Sequence, residues 1–324
     1  MVAVMSISLP RSRSGVLRRS ELLADGLSSG EIERLRRAGR ILRLRRGRYR
    51  DPADGPVTAE AAHALAARAA VGDVAADAVF GHVTAAVLLG LPVWSVPLRR
   101  VHIIRARGGG GRIRPALHVH PAPLPAEDVV ELGALRLTSP ARTVADLART
   151  LPEDRALVIA DGALGLAGSS ADDGVPRPGA TTRSEIAAVL DRQPRSRGRS
   201  AAARVVDFAD GRSGSPGESL SRLGMRRAGL PAPILQYPVP GTSYRCDFGW
   251  PDHGIVGEFD GRGKYGRLVG PDADPETAGR LVWREKRRED RIRATGLIVV
   301  RWTWPDIGAP GPHGMVGLLH EALR

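Results

Sequence analysis

The sequence predicts an α+β multidomain protein. Three observations carry that expectation: positive charge is concentrated near one end, Pro-, Gly- and Ser-rich stretches break the chain, and the C-terminal third alternates between helical and strand periods. With 324 residues the chain has room for two or three separate cores. The expected segments are 1–55, a helical basic domain; 56–180, an α/β middle domain; 181–214, a linker and helix; and 215–324, a domain of order α-β-β-β-α-β. No internal repeat is evident.

Composition narrows the function classes. Apolar residues make up 42% of the chain but aromatics only 4%, so Ala, Leu and Val must fill most of the core. The formal net charge is +13 and the pI is about 11.1. That balance points to an anionic partner, nucleic acid before an acidic membrane surface. No basic amphipathic helix with large apolar residues is visible, so no membrane partner is expected. The single cysteine, Cys246, excludes an internal disulfide and a cysteine zinc site. No apolar run approaches the roughly 18 residues of a membrane span, and residues 1–15 lack the apolar stretch of a secretory signal. The expectation is a soluble, cytoplasmic protein. Nearly all the positive charge is arginine; the two lysines, Lys264 and Lys286, lie beside the densest cluster of patterned carboxylates.

From residue 11 to residue 50 there are thirteen arginines against Glu21, Asp25, Glu31 and Glu33, a formal charge of +9. Residues 20–24 read as a short helix and Gly26 as a turn. Ser28 or Ser29 suits a helix N-cap, with Glu31 and Glu33 in the first turn where the helix dipole favours them. Ile32 and Leu35 are spaced to face a core, Arg34 and Arg37 share the opposite face, and Gly39 suits a C-terminal cap. Residues 41–44 suggest a strand, Arg45-Arg46-Gly47 a tight turn, and Arg48-Tyr49 a returning strand. Helix, turn, helix and a two-stranded wing is the winged-helix plan, in which the second helix enters the major groove and the wing touches phosphates. The candidate DNA contacts are Ser28, Arg34, Arg37, Arg40, Arg43, Arg45, Arg46 and Arg48. The alternative is a solvated basic face on a small helical domain.

The text LLADGLSSGEIERLRRAGRILRLRRGRYR, residues 22–50, resembles the N-terminal domain of AbiEi-type antitoxins of type IV toxin–antitoxin systems. Weaker likeness continues through GHVTAAVLLGLPV, residues 81–93, and LTSPARTVADLART, residues 137–150. The resemblance implies a winged helix that binds operator DNA and represses its own operon, and a cognate toxin protein as partner.

In the middle region residues 57–70 are alanine-rich and helical, and residues 81–84 open a second apolar helix. Residues 101–105 and 117–120 alternate like strands, joined by a glycine run at 108–111. That run lacks a following Lys-Ser/Thr and is not a P-loop. Ser139-Pro140 starts a further helix, a serine N-cap with proline at the first position. His118 and His120 point to one strand face, which suggests a metal pair, but no third ligand lies at a convincing spacing; edge-strand histidines are the expectation. The region reads as a scaffold or interaction domain.

The C-terminal region carries the sharpest expectation. A helix opens at Pro216 and runs to about residue 228; strands follow at 235–239, 244–248 and 254–260. After a glycine-rich turn at 261–266 comes a charged helix, about 276–294, and a last strand at 297–304 on which Trp302 and Trp304 share a core face. This order, with Glu218 on the helix, Asp247 on a strand, Glu258-Phe259-Asp260-Gly261, and EKRREDRIRATGLIVVRWTW at 285–304, resembles the PD-(D/E)XK nuclease superfamily. It is more closely similar to the DUF559 group related to very-short-patch repair endonucleases, over residues 215–307. The resemblance implies a restriction-endonuclease-like fold.

Residues two apart on a strand share a face, so Glu258 and Asp260 project together, and Asp247 can lie beside them. Three converging carboxylates repel one another unless a hard cation such as Mg2+ joins them. Such an ion activates water and neutralises charge on a scissile phosphate. The candidate metal ligands are therefore Asp247, Glu258 and Asp260. With Glu218, which the resemblance implies on the helix, and Lys264, a nearby lysine to serve the transition state, the catalytic candidates are Glu218, Asp247, Glu258, Asp260 and Lys264. The sequence departs from the superfamily pattern: the lysine expected two residues after the acid is replaced by Asp260, or by Arg262 if Asp260 is the acid. Lys264 or Lys286 would have to supply that charge from a displaced position. Two readings stay open. One is a DNA-binding, Mg-dependent endonuclease. The other is a non-enzymatic antitoxin-type transcriptional regulator whose degenerate nuclease fold binds a partner, with Glu258 and Asp260 tied to Arg288 and Arg291 in a structural ion network.

Overall fold

A computed structural model describes residues 14–106, 110–168, 177–193, 197–261 and 275–324, with the backbone alone at several positions of 275–285. The protein is α+β and divides into two units, Met1–Leu147 and Ala148–Arg324. Among the described residues no helix is long and apolar enough to cross a membrane.

The first unit opens with β1 (Leu17–Arg18), α1 (Arg19–Ala24), α2 (Ser29–Arg37), β2 (Leu42–Arg45) and β3 (Arg48–Arg50). Ser28 caps α2 as expected: its hydroxyl accepts from Glu31 N at 3.2 Å while Glu31 Oε2 accepts from Ser28 N at 2.7 Å. That reciprocal box satisfies two donors that a helix start would otherwise leave bare. Gly39 (φ +67°) ends the helix and Gly47 (φ +68°) turns the hairpin, conformations that a Cβ disfavours. The three strands lie in the order β1-β3-β2. Leu17, Leu22, Ile32, Leu35, Ile41 and Tyr49 form the core of this segment, so the apolar spacing of α2 faces inward as expected.

Next come α3 (Ala59–Ala70), β4 (Val79–Phe80), α4 (His82–Leu88), β5 (Val101–Arg105), β6 (Arg112–Arg114), β7 (Leu117–Pro121), β8 (Val129–Leu132), β9 (Leu135–Thr138) and α5 (Pro140–Thr150). The strands form one sheet in the order β6-β7-β5-β4-β9-β8. The two strands expected at 101–105 and 117–120 are present and pair in parallel, Val101 opposite Leu117 and Ile103 opposite Val119. Their parallel sense leaves room for β6, an exposed edge strand the pattern did not announce. Arg142 of α5 is buried between Asp128 (2.8 Å) and Asp146 (2.9 Å), which anchors the helix to the turn before β8.

The second unit begins with helices α6 (Glu153–Gly168), α7 (Arg183–Arg192), α8 (Arg199–Phe208) and α9 (Pro216–Arg227). Arg222 of α9 reaches Asp161 of α6, both carboxylate oxygens accepting at 2.9 Å, with the pair almost fully buried. Then follow β10 (Ile234–Pro238), β11 (Arg245–Trp250), β12 (Ile255–Asp260), α10 (Pro275–Arg293), β13 (Ile298–Thr303), and two short helices, α11 (Trp304–Ile307) and α12 (Met315–Ala322). The sheet order is β10-β11-β12-β13, antiparallel except for the last, parallel pair, to which α10 is the crossover. One face packs Phe248, Trp250, Phe259 and Trp302 against Met225 of α9 and Met315 and Leu319 of α12. The other buries Cys246 and Val256 against Ile292 of α10. A Cβ on Gly217 would stand 1.9 Å from the Phe259 ring, so the backbone of α9 lies directly on that aromatic.

The expected helix-strand order from residue 216 to residue 303 is therefore present, with ends shifted by one or two residues. One expectation is corrected. Trp302 is buried at 1% exposure, but Trp304 is 38% exposed, because β13 stops at Thr303 and Trp304 begins α11, edge-on to Phe259.

Candidate functional site

The basic segment presents some of its arginines and commits others. Arg34 and Arg37, on the outer face of α2, keep 78% and 75% of their side chains exposed. Arg40, Arg43 and Arg46 are exposed as well. Arg36 instead grips Glu33 with two hydrogen bonds, at 2.9 and 2.7 Å. That contact, with help from Arg37, holds the Glu33 carboxyl at about 2. Arg45 and Arg48 turn toward Asp73, at 3.7 and 3.8 Å, and only 25% and 18% of their side chains are exposed. Of the eight candidate DNA contacts, these two are the least available for phosphates, because a carboxylate from beyond the hairpin draws them in. Ser28 is occupied as the cap of α2.

On the second unit the carboxylates expected to gather do something else. Glu218 is 5% exposed; it accepts from Gly214 N (2.8 Å), Ser215 Oγ (2.7 Å) and Gln236 Nε2 (3.1 Å), so its charge serves the start of α9. Asp247 Oδ2 accepts the backbone N–H of Phe259 at 2.8 Å, standing in for a ladder bond between β11 and β12. Gln236, across from it on β10, has φ +51°, a left-handed conformation that costs a non-glycine residue of order 1 kcal/mol or more.

Glu258 is 8% exposed and held by two guanidinium groups: Arg288 Nη2 at 2.5 Å on Oε1 and Arg301 Nη2 at 2.8 Å on Oε2. Burial pushes its carboxyl up, but the Arg288 hydrogen bond and charge, with Arg301, outweigh this and hold it below the usual carboxylate range. The parallel register sets Arg301 directly opposite Glu258. The chain of charge continues from Arg301 to Glu289 (3.2 Å) and on to Arg293 (2.6 Å). Cys246 lies against Glu258, and burial followed by that carboxylate pushes the thiol up to about 12.

Glu258 and Asp260 do share the face of β12 that carries Val256, as strand alternation requires. The expected three-carboxylate cluster is nonetheless not formed. Among the described residues, Asp247, Glu258 and Asp260 do not bring ligand atoms within 4.8 Å of one another as a group. The physical reason is competition: both oxygens of Glu258 are taken by arginines and Asp247 is taken by a backbone amide. As placed, this donor set does not fit a magnesium ion. Lys264 lies outside the described residues; Lys286 is exposed on α10.

One constellation was missed. His102 on β5 joins His118 and His120 on β7, with a nitrogen of each within 4.8 Å of the others. His82, at the first position of α4, stacks on His120 with ring centres 3.8 Å apart. The sequence carried only half of the signal, the His-Val-His alternation at 118–120. The third residue lies sixteen positions upstream and arrives through the register that places His102 opposite His118.

No protein-family model matches the chain. A crystal structure of the RV2827C protein from Mycobacterium tuberculosis is similar at 17% identity and a TM-score of 0.38, covering 69% of this chain and 78% of that one. Closer likeness is found in sequence. The uncharacterized proteins Rv2248 and MT2308, from the H37Rv and CDC 1551 strains of Mycobacterium tuberculosis, are each 32% identical over 195 residues. The matched region is 59% of this chain and 68% of theirs. This chain belongs to the family of Mycobacterium tuberculosis Rv2248.

Proposed function

We propose that this protein is a DNA-binding regulator. Residues 14–50 act as a winged helix, and the C-terminal restriction-endonuclease-like fold serves as a partner-binding module. The observation that carries the DNA reading is the set of five exposed arginines, Arg34, Arg37, Arg40, Arg43 and Arg46, spread over α2 and the hairpin of a +9 segment. Phosphate contacts of this kind position a recognition helix in the major groove. The antitoxin-type resemblance makes operator DNA the target and a toxin protein the partner, in the cytoplasm. Support for a non-catalytic C-terminal fold is the engagement of Glu258 by Arg288 and Arg301.

Fluorescence anisotropy against labelled duplexes tests the reading. Binding should weaken steeply with salt and be impaired by the Arg34→Ala/Arg37→Ala double variant. Absence of duplex binding at low salt, or equal binding by the variant, overturns it.

A second reading, Mg-dependent DNA cleavage, is favoured by the common face of Glu258 and Asp260 beside Asp247. It requires Glu258 to leave its arginines. Plasmid nicking with magnesium by the parent, lost in Asp247→Ala and Lys264→Ala, would establish it over the first.

A further inference from the structure

Three histidines of the six-stranded sheet, His102, His118 and His120, gather a nitrogen each within 4.8 Å of the others. The parallel pairing of β5 and β7 sets His102 opposite His118 and Ile104 opposite His120. Alternation along each strand then turns His102, His118 and His120 to the same face. The His118 and His120 ring centres are 3.8 Å apart, and those of His102 and His118 are 5.0 Å apart. His102 Nδ1 and His120 Nε2 are 3.0 Å apart. At that distance one of the two rings donates its N–H and the other accepts, so a single proton stands between two nitrogens that a metal ion could share in its place.

The surroundings hold these rings in place. Gly81 N donates to His102 O at 3.1 Å, and a Cβ on Gly81 would stand 2.7 Å from Ile104, so only glycine lets α4 approach β5 this closely. His82 follows with φ +50°, a left-handed conformation kept at a cost, and its ring closes over His120. Thr84 Oγ1 accepts the backbone N–H of His102 at 2.8 Å. His63 is a different case. Its Nδ1 donates to Leu98 O at 2.9 Å, which leaves Nε2 to accept from the Thr84 hydroxyl at 2.8 Å. Both of its nitrogens are used, and it braces Thr84 rather than joining the cluster.

We propose that His102, His118 and His120 bind one transition-metal ion of the zinc class. Three imidazoles suit Zn2+, Co2+, Ni2+ or Cu2+, whereas Mg2+ and Ca2+ take oxygen ligands. At metal–nitrogen distances of about 2.0–2.1 Å, tetrahedral ligands stand about 3.3 Å from one another. One nitrogen pair here is already at 3.0 Å and the remaining separations are under 4.8 Å, so small rotations of the rings complete the site. His82 walls one side, and the fourth position is left to water or an outside ligand. The site is independent of the carboxylates of the second unit and of the reading of the arginines.

Cobalt(II) titration of the chelator-treated full-length protein tests the proposal, with Zn2+ as competitor. The expected result is one equivalent of Co2+ bound with the intense visible absorption of tetrahedral coordination, bleached by one equivalent of Zn2+. His118→Gln, at the least desolvated of the three rings, and His102→Gln should each weaken binding by about a hundredfold or more, since even loss of a supporting hydrogen bond to a metal ligand costs 10–100-fold. His253→Gln should bind as the parent does. Circular dichroism of each variant separates loss of metal from loss of fold. A parent that binds no stoichiometric Co2+ or Zn2+, or a folded His118→Gln variant that binds as tightly as the parent, overturns the proposal.

Discussion

Replacing Glu258 by glutamine tests whether the charged centre of the second unit is a structural network. The substitution keeps size and one acceptor but removes the negative charge facing Arg288 and Arg301. Breaking a fully buried ion pair from one side costs about 3–5 kcal/mol, and exposed pairs are worth about 0.2–1 kcal/mol. Glu258 is buried, but its partners' side chains are 25% and 30% exposed and can regain water. The expected loss is therefore intermediate, about 2 kcal/mol, which lowers the melting point by about 4–8 °C in a unit of this size. Tryptophan emission is a suitable probe, because Trp250, Trp283, Trp302 and Trp304 all lie in the second unit. The pH dependence has a definite sign. The folded carboxyl is held below its ordinary value of 4.5, so the contribution is fully present above that value and fades as pH falls through the depressed one. Parent and variant should thus converge in acid. A Glu258→Gln protein as stable as the parent at neutral pH, with no change of the difference in acid, refutes the network.

Other outcomes follow from the same contacts. If the five exposed arginines each meet a phosphate, log K against log salt should have a slope of about −4.5, and a rise from 50 to 200 mM salt should weaken binding about 500-fold; Arg34→Ala/Arg37→Ala should reduce that slope by about 1.8, and an unchanged slope in titrations places those residues away from DNA. Asp161→Asn should cost about 3–5 kcal/mol in urea unfolding, because Arg222 is left buried against half a partner; a loss below about 1 kcal/mol contradicts the role given to that pair. Cys246, buried and with its thiol raised to about 12, should not react with a thiol reagent at pH 8 until the second unit unfolds; stoichiometric labelling of the native protein would show that the strand face opens.

What the sequence made legible was local. Ser28 with Glu31 announced the start of α2, Pro216 with Glu218 that of α9, and the apolar runs around Val256 and Val299 announced strands. Each of these signals lies within one turn or one strand. The sites depended on partners that no local pattern names. Arg301 reaches Glu258 only because β13 returns in parallel beside β12, and Asp73 withdraws Arg45 and Arg48 from a hairpin whose sequence displays them. The carboxylate spacing on β12 was read correctly as a shared face, but face alone does not say whether a cation is a metal or an arginine. The histidine trio was hidden for the complementary reason. A spacing of sixteen residues has no meaning until the strands are placed side by side. Trp304 was misjudged because alternation was extended one residue past the point where the strand became a helix.

The tie between Arg222 and Asp161 bears on how the protein is cut into pieces. A truncation beginning at residue 215, where the nuclease-like text starts, would keep Arg222, Arg226 and Arg227 but discard Asp161 and both oxygens of Glu153 that neutralise them. It would also strip α9 of the α6 surface that covers it. Such a fragment begins life with surplus charge and a bare helix flank, and it should aggregate or melt early. An autonomous C-terminal fragment has to start ahead of Glu153, inside the stretch expected to belong to the middle domain, so α6 is part of its foundation.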